Sequence, residues 1–279
     1  MGHSRSGPRP TLADGPALAI AFLLFLLGVA LMFGGATRVA QAGLGLRTQV
    51  AIGTLLFALP VALFLAFRPP ARAVYLGPRG LARREALVSV LLGGALWVAS
   101  LGIVEIQALV RPPQPEELEL FRRLHAALAP HGPADAIASL VVIALLPALC
   151  EELVMRGALL SSLLPVAAAW LGDRPGRIAS ILATGAAFAL IHDPVRLLFA
   201  FLLGIALGAL RLRTRSIVPP ILAHATLNAL TFAIAPLVDD PSKPYEPQPL
   251  LGAVCLVAGC AAAWPLFRAL RDGRNAGAA

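Results

Sequence analysis

Long stretches without charge leave this chain few ways to fold. Reading its apolar runs against their breakers gives candidate spans near residues 15–35, 49–67, 86–110, 134–160, 178–192, 195–211, 216–238 and 248–268. Several exceed the roughly 20 apolar residues that cross a bilayer. In lipid only helices and closed barrels satisfy every backbone N–H and C=O, and these continuous runs lack the two-residue alternation of barrel strands. The expectation is an all-α polytopic membrane protein of about eight transmembrane helices.

Composition agrees, with 58% hydrophobic and 14% charged residues. The net charge of +8 comes mostly from arginines between or beside apolar segments, which is a loop bias rather than a nucleic-acid patch, so no nucleic-acid partner is expected. An even number of spans puts the arginines of both tails, of 68–84, of 174–177 and of 211–215 on one side. The other side holds Glu116, Glu117, Glu119, Asp239 and Asp240, so both termini are expected in the cytoplasm. Richness in Ala, Leu and Arg points to a bacterial inner (plasma) membrane. Arg5 and Arg9 precede the first run and Ala40-Gln41-Ala42 resembles a cleavage site, yet the run is too long for a signal-peptide core and reads as a retained span. Cys150, Cys255 and Cys260 lie in apolar segments without CxxC spacing and suggest neither disulfides nor a cysteine zinc site.

The chain divides into a tail (1–14), N-terminal spans with an outer loop (15–133), a helical core (134–238), and a last loop, span and tail (239–279). No internal repeat is visible. Within the outer loop, Leu120, Phe121, Leu124 and Leu128 form one helical stripe, which suits either an interfacial helix or a solvated one. Gly204 and Gly208 form a GxxxG, read as a close helix contact or as a homodimer face. Glu105 sits near the outer end of its span, within reach of the interface. His3, His125 and His131 lie in the tail and outer loop and carry no chemistry here.

Three polar constellations interrupt the apolar core. A charge at bilayer depth costs roughly 2.5–3.5 kcal/mol on insertion scales, so Glu151, Glu152 and Arg156, clustered in one span, need a reason to be there. Glu152 and Arg156 are four apart and pair on a helix, which leaves Glu151 turned about 100° away as the freer group. Phe188 and His192 end the next span. His224 and Asn228 stand one above the other inside the seventh. Each alone has an ordinary reading as a salt bridge or an interhelical hydrogen bond; three together on separate spans favour function. A transporter or proton relay is the rival that buried Glu and His suggest, but it predicts repeated halves. A non-enzymatic immunity or scaffold protein is the other rival.

The ordered pattern Glu-Glu-x-x-x-Arg, Phe-x-x-x-His, His-x-x-x-Asn resembles the CPBP family of intramembrane proteases, which comprises the type II CAAX prenyl endopeptidases and their bacteriocin-processing and immunity-type (Abi-like) relatives. The resemblance covers residues 134–235. It implies an all-helical membrane endopeptidase in which Glu151 and His192 activate a water. His224 and Asn228 would stabilise the oxyanion, with Glu152, Arg156 and Phe188 in support. The same residues permit a zinc reading, with Glu151, His192 and His224 as ligands and Glu152 as base. The metal-free route, needing no cofactor, is preferred because Asn228 is an unusual zinc ligand but a natural oxyanion donor, and no HExxH is present. The expected substrate is a peptide or membrane protein, prenylated or not.

Overall fold

The computed structural model describes residues 14–77, 81–238 and 246–270, and every regular element among them is helical. His3, Arg5, Arg9, Asp239 and Asp240 lie outside the described residues, as do the side chains of Phe121, Leu124 and His125. The helices are α1 (Asp14–Gln41), α2 (Leu46–Phe67), α3 (Pro69–Leu76), α4 (Arg83–Val110), α5 (Pro115–Leu128), α6 (Pro133–Leu140), α7 (Leu146–Glu152), α8 (Leu160–Leu171), α9 (Asp173–Leu190), α10 (Leu197–Thr214), α11 (Val218–Val238) and α12 (Pro249–Ala269). Two π-type segments, Val141–Leu145 and Leu153–Leu159, join α6, α7 and α8 into one long helix over 133–171.

Among the described residues six helices are long and apolar enough to cross a membrane: 17–41, 46–67, 83–110, 133–171, 194–214 and 249–269. Two shorter members complete the bundle. α9 carries Asp173, Arg174 and Arg177 in its first turns, and α11 is apolar over 218–234. The chain is an all-α integral membrane protein. Its lipid-facing surface is apolar, with Leu23, Phe67, Leu190, Leu250 and Val257 exposed. Exposed Trp170 and Trp264 suit the interfacial zone, where aromatic rings anchor helix ends.

Two of the boundaries that differ from the sequence reading bear on the site. The fourth span does not stop near 160 but continues to Leu171 through Pro165, since neighbours in a membrane helix re-satisfy the carbonyl that a proline leaves. It ends at Gly172, whose φ of 85° reverses the chain at no cost for a residue without Cβ. The fifth helix therefore starts at Asp173 rather than 178, its first carboxylate facing the positive end of the helix.

Basic loops gather at one end. Ile217 N–H donates to the Leu76 carbonyl at 3.0 Å and Arg211 to the Val74 and Tyr75 carbonyls, while Arg213 donates to Arg268 and Leu270 and Arg84 to Ala269. At the other end Arg47 of α2 holds the α5–α6 corner through Asp135 and the Leu128 and Ala129 carbonyls. Glu105 accepts from the Gln248 N–H at 2.6 Å, at the exposed start of α12. Leu120 near the start of α5 is exposed and Leu128 at its end is buried. Gly204 and Gly208 are buried against α9, where a Cβ on Gly204 would lie 2.8 Å from the Gly185 Cα. The GxxxG is thus a contact within the chain and offers no face to a second copy.

Candidate active site

The two π segments bracket α7, whose last two residues are Glu151 and Glu152. Such locally widened turns concentrate at functional sites because they redirect side chains from the ordinary helical rows. Glu151 lies near the middle of the 39-residue helix, not a turn from its end. Gly172 is sixteen residues after Arg156 and sixteen before Phe188, so folding α9 back along α8 brings those two level. The Arg156 guanidinium lies 4.7 Å from the Phe188 ring centroid.

Glu152 and Arg156 are fully buried and joined by a 2.9 Å hydrogen bond, as their four-residue spacing predicts. A second arm of the guanidinium donates to the Gly204 carbonyl at 3.1 Å, which ties the long helix to α10. Glu152 also lies 2.9 Å from His224 Nδ1. A carboxylate that accepts from arginine remains an acceptor here too, so His224 Nδ1 donates to it and Nε2 is left free. That free nitrogen faces Glu151, whose Oε2 is 3.8 Å away.

Glu151 is the looser of the two acids, with its side chain 17% exposed and Oε2 without a hydrogen-bond partner among the described residues. His192 Nδ1 lies 2.7 Å from the Phe188 carbonyl, which can only accept, so this nitrogen carries its proton and Nε2 offers a lone pair. The two imidazoles share one aromatic neighbour. Phe188 sits 4.5 Å from the His192 ring and 5.8 Å, edge-on, from the His224 ring, measured between centroids. Asn228 stands half-buried one turn beyond His224 on α11.

The structure therefore brings Glu151, Glu152, Arg156, Phe188, His192 and His224 into one connected cluster. Sequence reasoning missed the Gly204 carbonyl, because a backbone acceptor on another helix leaves no trace in residue type. It also did not pair Glu152 with His224, a contact made across 72 residues. Beside the cluster an apolar groove between α1, α8 and α9 is lined by Leu18, Phe22, Leu159, Leu163, Thr184 and Ala187. Cys150 is buried next to Glu151 and free, as are half-buried Cys255 and exposed Cys260.

Comparison with known proteins adds one family. Residues 133–230 match the model described as type II CAAX prenyl endopeptidase Rce1-like. No curated protein and no solved structure matches the chain. The matched segment runs from the start of the long helix through Asn228, taking in all three constellations, and supports a CAAX-type intramembrane protease.

Proposed function

We propose that this chain, with its Rce1-like segment at 133–230, is an intramembrane endopeptidase that hydrolyses a peptide bond with a water activated by Glu151 and His192. One observation carries the reading: Glu151, the partly exposed acid, has an Oε2 without a hydrogen-bond partner among the described residues and faces His224 Nε2 3.8 Å away, with the His192 ring against the same Phe188 that His224 meets. That gap is too long for a direct hydrogen bond, so a reacting group can enter between Glu151 as base and His224 as oxyanion donor.

In this mechanism Glu151 takes a proton from the water as its oxygen attacks the scissile carbonyl carbon. The His192 Nε2 lone pair accepts the other O–H and orients the attack. Negative charge then gathers on the former carbonyl oxygen, where the Asn228 amide and His224 Nε2 serve as donors, each worth on the order of 3 kcal/mol in comparable sites. His224 donates there only in its doubly protonated form, and the Glu152 carboxylate at its Nδ1 supplies the counter-charge while Glu151 holds the proton taken from the water. When the C–N bond breaks, Glu151 returns its proton to the leaving amine. Arg156 fixes Glu152, and Glu152 fixes the ring of His224; both are positioning residues. The apolar groove gives the membrane-embedded part of a substrate a surface next to the cluster.

The zinc reading asks Glu151, His192 and His224 to meet around one ion with Glu152 as base. Among the described residues no three His, Cys, Asp or Glu side chains are grouped to hold a metal ion, and Glu152 is already engaged by Arg156 and His224. That set fits zinc poorly, and the metal-free route is favoured. Both termini are assigned to the cytoplasm of a bacterial cell, at the end where the basic loops gather.

The test begins with substrates. Precursors that accumulate uncut in the membrane proteome of a deletion strain identify them, prenylated or not. On such a substrate Glu151→Gln is expected to lower the cleavage rate of the purified chain by about 10²–10⁴-fold while leaving its thermal midpoint unchanged. Cleavage at the parental rate would remove Glu151 from the role of base.

A further inference from the structure

Gln107 of α4 reaches across the bundle to the turn that carries His192. Its amide uses both ends: Nε2 donates to the Val195 carbonyl, and Oε1 accepts from the Leu198 N–H at 3.1 Å. Leu198 is the second residue of α10, so this acceptor satisfies one of the orphan donors that every helix N-terminus exposes. Val195 lies within the 3₁₀ turn Pro194–Arg196, which Asp193 closes from the other side by accepting from the Arg196 N–H at 3.2 Å. Among the described residues His192 makes its hydrogen bonds locally, its N–H to the Ala189 carbonyl and its ring to the Phe188 carbonyl. No part of that local geometry sets the angle at which α9 hands the chain to α10.

We infer that Gln107 is a positioning residue for His192: by clamping Val195 and Leu198 to α4, it sets the α9–α10 turn and hence where the His192 Nε2 lone pair points. A side chain on a third helix is placed for this role, because a helix end held only by its own turn frays. The amide also fits the role chemically. One carbonyl and one N–H must be met at once, and only a group with a donor and an acceptor about two ångströms apart does both. Arg111, one turn further along α4, is held by Glu117 of α5, so the end of α4 that carries Gln107 is itself anchored.

This inference rests on the reading of His192 as the residue that orients the water, and two measurements separate them. The first needs no substrate. In ¹⁵N-histidine NMR spectra of the full chain in detergent micelles, with the His192 signal assigned by its loss in His192→Gln, Gln107→Leu is expected to shift and broaden the His192 ring resonances and leave those of His224 in place. Unchanged His192 resonances in Gln107→Leu overturn the inference. The second variant guards against mere misfolding: Gln107→Glu keeps the acceptor and, once protonated, regains the donor. Its His192 signal should return to the parental position as pH falls, relative to the parent at the same pH. Failure to return while Gln107→Leu remains folded by its thermal midpoint also overturns it.

On a substrate the parent cleaves, Gln107→Leu should lower kcat about tenfold with KM within a factor of two. A parental kcat sinks the positioning role and leaves the protease reading standing. If the parent cleaves no membrane peptide but the His192 resonances move in Gln107→Leu, the positioning role stands and the protease reading falls.

Discussion

The α4–α12 seam and the interior of 133–230 hold membrane helices together by opposite means. In the seam, backbones approach until there is no room for a side chain. A Cβ on Gly102 would collide with the Gly252 carbonyl, and one on Gly259 with the Ala99 backbone. Lipid tails are as apolar as leucine, so close packing rather than the hydrophobic effect joins such a pair. The interior instead buries a carboxylate and a guanidinium completely and gives each partners on other helices, His224 on α11 and the Gly204 carbonyl on α10. Packing tolerates gradual change; buried charge does not. The seam is a scaffold, whereas the Glu152–Arg156 pair carries the cost of desolvated charge inside the cluster.

That contrast can be broken at its strongest point by Arg156→Met. Removing one member of a buried pair leaves Glu152 without its principal counter-charge, and the expected cost is about 3–5 kcal/mol, read as a lower thermal unfolding midpoint in detergent. A parental midpoint would mean that the pair contributes nothing and that the interior is held as the seam is. Gly259→Ala sharpens the other half. Its methyl group meets the Ala99 backbone, which cannot rotate away, so a loss of about 1–3 kcal/mol is expected with kcat of the folded protein unchanged. A fall in kcat there would show that the seam and the site are mechanically joined.

The smallest effect belongs to the outer surface, where neither mode operates. Arg111 beside Glu117 holds that carboxyl below the ordinary glutamate range, aided by the Gln114 N–H. A lowered value means the pair stabilises the folded form above the usual value of about 4.3 and loses that contribution as pH falls through the lowered one. The protection factors of the α5 amides, corrected for the intrinsic exchange rate at each pH, should therefore fall on acidification in the parent, and Glu117→Gln should show the lower protection throughout. An unchanged profile in the variant would separate the pair from the docking of α5.

Much of this architecture was legible in the chain because lipid allows so few solutions. Apolar runs marked every membrane helix, and the four-residue spacing of Glu152 and Arg156 fixed their pairing before any tertiary contact was known. The helix ends were less legible. Pro165 looks like a stop in a soluble context and is none here, and Gly172 gains its meaning only from the reversal at that point. The partner of His224 was not legible either, since nothing local distinguishes Glu152 from Glu151 as the acid it meets. Gln107 was invisible for the same reason: its two acceptor and donor partners are backbone groups, which every sequence supplies.

The Glu152–Arg156 bond closes within a single helix, and this bears on how the protein is made. Both members emerge from the ribosome four residues apart, long before α10 and α11 exist to share them. The helix can thus enter the bilayer through the translocon as a segment whose acid and base already cancel, instead of as two isolated ions waiting for distant partners. Biogenesis and catalysis would then draw on the same four-residue spacing.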